Sequence, residues 1–219
     1  MSNQDAISRP ASPSQKALLK AHATLDVGAP VATDGYQPRA AVLLYLNSLR
    51  GYPSPEIVRL LLTAQRRCDT AHRQFTRVRE QLDTWQSAPG TLQDAVFLIG
   101  DAELAVVALE GSLACLEQVR SKLSPPAGHW PKDIQRRRDA VTQLRDAYIH
   151  IDARAIGCIK HDTNPDLALS IFLYESLIKK RTLTYGQWRL GVDQEATNLL
   201  VATAKYIQNL WDRAIGESR

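Results

Sequence analysis

The sequence predicts an all-α fold: a four- to five-helix bundle with a long antiparallel helical hairpin and a short β-hairpin insertion before the last helix. Three observations carry this reading. Apolar residues recur at three- and four-residue spacing over two long consecutive segments, Ser54 to Trp85 and Thr91 to Leu123. Only Ser87-Ala88-Pro89-Gly90 separates them, a connection short enough to force the two helices antiparallel. Two stretches rich in β-branched and aromatic residues, Leu167 to Tyr174 and Thr182 to Val192, then precede a final amphipathic segment.

With 219 residues and 44% hydrophobic content, the chain can bury one core and needs no second domain. A flexible N-terminal arm is expected over residues 1–40, where Pro10, Pro13, Pro30 and Pro38 interrupt any long element, and a helical domain over 41–215. Short helices are expected at Gln15 to Leu25 and at Ala40 to Leu49. Ser54-Pro55-Glu56 reads as a helix start, with Ser capping and Pro in the first turn. Ile57, Leu60, Leu61, Ala64, Cys68, Ala71, Phe75, Val78 and Leu82 form the buried stripe that follows.

Thr91 or Asp94 opens the second helix, which turns Ala95, Leu98, Ala102, Ala105, Val106, Leu109, Leu113 and Leu116 inward. Ser124-Pro125-Pro126-Ala127-Gly128 ends it, and a third helix is expected from Pro131 to Ile156. The two β-rich stretches pair as a hairpin with a polar turn between them, or else Pro165 to Lys180 is helical. Asp193 caps a last helix reaching Asp212, with Ala196, Leu199, Leu200, Thr203, Ala204, Ile207 and Leu210 on its apolar side.

Composition narrows function. No apolar stretch approaches the roughly 20 residues of a membrane span, and the N-terminus lacks the order of a secretion signal, so a cytoplasmic location is expected. Cys68, Cys115 and Cys158 are far apart and in no metal-binding spacing; they read as buried thiols, and no cofactor is expected. P-loop, GxSxG and HExxH patterns are absent. The net charge of +4 is compatible with a phosphate-bearing partner. It gathers in Arg66-Arg67, Arg136-Arg137-Arg138 and Lys179-Lys180-Arg181, each of which also suits a solvated face.

The third helix carries the chemistry. Val141, Leu144, Tyr148, Ile151 and Ala155 share one stripe and face the core. Arg145, Asp146 and His150 form an arc on the opposite side. Asp146 and His150 are four apart, so the carboxylate is placed to orient the imidazole for proton transfer. Ile149 lies within this polar arc, where an apolar side chain suggests a covered face.

Leu144-Arg145-Asp146-Ala147-Tyr148-Ile149-His150 resembles the signature of HEPN domains, in which Arg is followed by a polar residue and, four to six positions on, by His. The spacing recurs at Arg66 or Arg67 with His72 and at Arg154 with His161. Only Arg145 is followed by an acid within an amphipathic helix that comes after the long hairpin. The resemblance implies a HEPN-like helical domain and a metal-independent endoribonuclease of toxin or antiviral type, acting as a homodimer with its cleft between two motif helices. RNA and an antitoxin protein are the implied partners. His150 would move protons, Arg145 would stabilise charge on the phosphorus, Asp146 would orient His150, and Ile149 would lie at the dimer interface. Arg136, Arg137 and Arg138 would contact the RNA backbone, with Lys179, Lys180 and Arg181 in the β turn as a second, weaker set. Tyr185 and Trp188 either stack on a base or pack on the core. A non-catalytic HEPN-like binding or dimerisation module is the alternative.

Overall fold

The computed structural model describes residues 35–39, 55–88, 90–150, 158–159, 162–163 and 174–216. The chain divides into Met1–Gly35 and Tyr36–Arg219. Tyr36 to Arg39, assigned to the arm from sequence, therefore belong with the helical body. The expected helices at 15–25 and 40–49, the Ser54 cap and the reading of 151–156 as helix lie outside the described residues.

The body is mostly helical. Its described helices are α1 (Pro55–Ser87), α2 (Leu92–Lys122), α3 (Lys132–Ile149), α4 (Glu175–Lys180) and α5 (Gln194–Gly216). Two small antiparallel ribbons accompany them: β1 (Cys158–Ile159) with β2 (Asp162–Thr163), and β3 (Thr182–Tyr185) with β4 (Trp188–Gly191). None of the described helices is long and apolar enough to cross a membrane.

The α1–α2 hairpin forms where the periodicity places it. Thr91 caps α2 through a reciprocal box: its hydroxyl accepts from the Asp94 N–H at 3.2 Å, and its own N–H donates to the Asp94 carboxylate at 2.7 Å. The bond from the Thr91 N–H, with a second from its hydroxyl at 2.8 Å, holds the Asp94 carboxyl below its ordinary range. Small residues along the seam, including Ala64, Ala71, Ala102 and Ala105, let the two backbones come close. Ser112 donates across it to the Ala64 carbonyl at 2.8 Å. All the inward residues named for α2 and α5 are buried, as are those of α1 except the half-buried Leu60.

The β-hairpin does precede the last helix, but its strands differ from those expected. Both come from the second β-rich stretch, Thr182 pairing with Gly191 and Tyr185 with Trp188 around a turn at Gly186. Tyr174 instead leads into α4, in line with the helical reading of Pro165 to Lys180 over its last turns. Lys179 and Lys180 thus end a helix rather than occupy a β turn. Arg181 follows in the left-handed region at φ 52°. Its guanidinium offsets that strain by gripping Asp193 through Nε and Nη2 at 2.7 and 2.9 Å, while Nη1 donates to Asp83 of α1 at 2.8 Å. Leu183, Tyr185 and Leu190 point into the core, and Trp188 is half-buried.

A polar knot lies within this core. Tyr36 donates to Asp69 at 2.7 Å, Gln65 donates to the same oxygen at 2.8 Å, and the Tyr36 ring stacks on His72 at 4.3 Å. Beside it the Cys68 thiol donates to the Leu200 carbonyl at 3.7 Å, fastening α1 to α5. Of the three cysteines, Cys68 is buried and Cys115 half-buried; the Cys158 side chain lies outside what is described.

Burial pushes the Cys68 thiol up to about 12, well above an unfolded thiol at roughly 8.5. The folded state then holds a proton that the unfolded state has lost, so stability declines as pH rises above about 9. Urea unfolding across pH 7 to 11 should show this decline, and Cys68→Ala should move its onset to higher pH.

Candidate active site on the third helix

The site is built on the seam between α2 and α3, which run antiparallel. On α2, three acids are spaced by seven: Glu103, Glu110 and Glu117. On α3, Arg138 and Arg145 have the same spacing. Seven residues are close to two full turns, so each series lies in one row. The rows meet: Arg138 pairs with Glu117 at 3.3 Å, and Arg145 with Glu110 at 3.1 Å. Glu117 also accepts from the Trp130 indole at 3.1 Å and pairs with Arg120 at 3.0 Å. The Arg120 and Arg138 guanidinium groups each lie over the Trp130 ring, 4.5 and 4.9 Å from its centroid. Glu103 accepts from the Tyr174 hydroxyl, and Tyr174 stands 6.4 Å from the Tyr148 ring. Burial raises the Glu103 carboxyl, and it raises both tyrosines above their ordinary range.

The motif residues occupy the last turns of α3. Arg145 is held on two sides, by Glu110 and by the neighbouring Asp146, whose carboxylate is 2.7 Å from Nη1. The hydrogen bond to Glu110 chiefly, with the charges of Glu110 and Asp146, raises its pKa further. Its Nε–H is buried without a hydrogen-bond partner among the described residues. Asp146 therefore serves Arg145, and no side-chain bond joins it to His150, contrary to the expected orienting role. The Asp146 carboxylate is engaged by the guanidinium that Glu110 holds from α2, while the imidazole stands at the helix end. His150 is the C-cap of α3, its N–H donating to the Asp146 carbonyl at 3.2 Å and its ring exposed.

Ile149 is half exposed, and it is not alone. Leu92, Val96, Phe97 and Leu104 of α2 are each more than half exposed. Taking Leu92 as zero on the helix, Val96 falls near about 40°, Leu104 about 120° and Phe97 about 140°, while the acid row lies within about 20° of zero. The exposed apolar arc thus borders the row that faces α3. A helix apolar on its solvent side as well as its core side is typical of one covered by another surface.

The expected RNA-contacting arginines are not one basic strip. Arg137 is paired with Glu195 of α5, Arg138 is committed to Glu117 and Trp130, and only Arg136, beside Asp133 at 3.6 Å, is largely exposed. In the second cluster, Lys179 pairs with Glu175, Arg181 with Asp193 and Asp83, and Lys180 has no ion-pair partner among the described residues. Tyr148 is buried, as expected. Glu110 and Glu103 are the residues that sequence reasoning missed. Their signal was the recurrence of glutamate at every seventh position of this helix. Among the described residues no three His, Cys, Asp or Glu side chains group as metal ligands.

Comparison with protein-family models, with curated proteins and with solved structures finds no match to this chain.

Because the Arg145–Glu110 contact is largely shielded from solvent, a double-mutant cycle with Arg145→Ala and Glu110→Ala should give a coupling of about 1–2 kcal/mol in urea unfolding. Additivity within about 0.3 kcal/mol would show that the two helices dock without it.

Proposed function

We propose that this chain is a metal-independent endoribonuclease of HEPN type, a toxin or antiviral effector that cuts RNA in a cleft between two copies of α3. The observation that carries this reading is the placement of an exposed His150 ring and a partly exposed Arg145 on the last turns of one helix, beside the half-exposed Ile149. In this mechanism His150 removes the proton from a ribose 2′-hydroxyl or delivers one to the leaving 5′-oxygen. Two copies would supply two such groups to one cleft, so that base and acid need not be the same ring. Arg145 offers a fixed planar cation to the phosphorus oxygens, held in place by Glu110. Asp146 keeps that cation in register instead of orienting the imidazole. The products are a 2′,3′-cyclic phosphate and a 5′-hydroxyl.

A second reading has a specific observation in its favour. Arg145 is already neutralised by Glu110 and Asp146, which suits a HEPN-like module kept for dimerisation or binding without catalysis.

His150→Ala separates the two. Purified wild type should degrade a mixed-sequence RNA, and the variant should lose at least about a hundredfold in rate, within the usual range for an acid–base group, with an unchanged melting temperature. An RNA left intact by both proteins favours the binding module. Ile149→Asp should shift the protein from dimer to monomer in sedimentation velocity and abolish cleavage. A monomeric wild type contradicts the shared cleft.

A further inference from the structure

We propose that the outer face of the β-hairpin and the adjoining turn of α4 form a pocket for a phosphate group, occupied by a backbone phosphodiester of single-stranded RNA. The choice of RNA rests on the reading above; the pocket's anion chemistry does not. The strand alternation that sends Leu183, Tyr185 and Leu190 into the core leaves Thr182, Thr184 and Arg189 on the other face, with Thr184 directly opposite Arg189. On α4, Ser176 and Lys180 are four apart and share one side. These five residues and Gly186 line one concavity of about 210 Å³. Thr182 donates to the Lys180 carbonyl at 2.9 Å, fixing the helix end against β3.

Its charge is not met by direct pairing: Glu175, beside Ser176 on α4, acts on Lys180 only through space. Among the described residues Lys180 and Arg189 have neither an ion pair nor a side-chain hydrogen bond, although their neighbours are all paired: Lys179 with Glu175, Arg181 with Asp193, Glu195 with Arg137. Two cations, one a compact ammonium and one a planar fork, converge with the Ser176 and Thr184 hydroxyls on a single depression. Cations and hydroxyls are the donors that hold phosphate oxygens in nucleic-acid complexes. The sequence pointed to the basic run 179–181, but only Lys180 of that run takes part, and its partner, Arg189, comes from the opposite strand.

The test uses the full chain and two probes. One is an oligouridine carrying 2′-O-methyl groups, which a 2′-hydroxyl-dependent nuclease cannot cleave; the other is inorganic phosphate as competitor. The double variant Lys180→Ala/Arg189→Ala removes two exposed side chains, and its melting temperature reports that the fold is intact. It should bind the oligonucleotide at least about tenfold more weakly, and its logarithmic salt dependence should be shallower by about 1.4, or about 0.7 per lost contact. Millimolar phosphate should compete for the wild type and not for the double variant. Equal RNA affinity and salt slope in wild type and double variant overturn the proposal. So does a wild type that binds neither probe. If phosphate binding alone is lost in the double variant, the pocket belongs to a small phosphate-bearing molecule and the RNA assignment is overturned. A binding defect in a protein that cleaves no RNA leaves the pocket standing while the ribonuclease reading falls.

Discussion

The row of acids on α2 is the constraint on which the rest of the structure turns. Glu103, Glu110 and Glu117 repeat every seventh residue along α2, and each fastens a different part of the fold. Glu117 gathers Arg120, Trp130 and Arg138 where α3 begins; Glu110 holds Arg145; Glu103 receives the hydroxyl of Tyr174, the residue that leads into α4. Apolar burial alone would let α3 slide or rotate along α2, because a smooth aliphatic seam has several packings of similar energy. Charges at heptad spacing on both helices penalise a slip, above all at Glu110, whose shielded carboxylate would be left unpaired if Arg145 were displaced. The register of the motif helix, and hence the place of His150, follows from these rungs.

This explains why the motif is arranged as it is. Arg145 belongs to two systems at once, the ladder and the polar end of α3, and its two carboxylate partners hold both of its terminal nitrogens. Such an arginine is rigid, and rigidity is what a preorganised cation at a phosphoryl centre requires. The same commitment is also what a purely structural residue would show. His150, by contrast, is held among the described residues through its backbone, and its ring is exposed toward a substrate or a second copy of the chain.

Much of the helical architecture was legible in the sequence because it rests on local period and punctuation. The α1–α2 hairpin, its Thr91 cap and the buried face of α5 follow from three- and four-residue spacing and from one short break at Pro89-Gly90. The hairpin before α5 was legible only as composition. Tyr174 has the aromatic character of a strand residue, yet Glu103 draws its hydroxyl from another helix, a long-range contact that no local pattern contains. The candidate site was legible in its residues but not in its pairings. Periodicity placed Arg145, Asp146 and His150 on one arc. It could not show that Glu110, more than thirty positions away, competes for the arginine and brings Asp146 with it. The three basic clusters read alike in sequence and differ in structure, because an arginine's availability is decided by acids on other elements.

The most direct test of the account is the chemistry of the RNA ends. Incubated with RNA in excess chelator, the protein should yield fragments ending in a 2′,3′-cyclic phosphate and beginning with a 5′-hydroxyl, as proton transfer by His150 beside Arg145 requires. Fragments with 3′-hydroxyl and 5′-phosphate ends, or cutting that stops when divalent ions are removed, would contradict it.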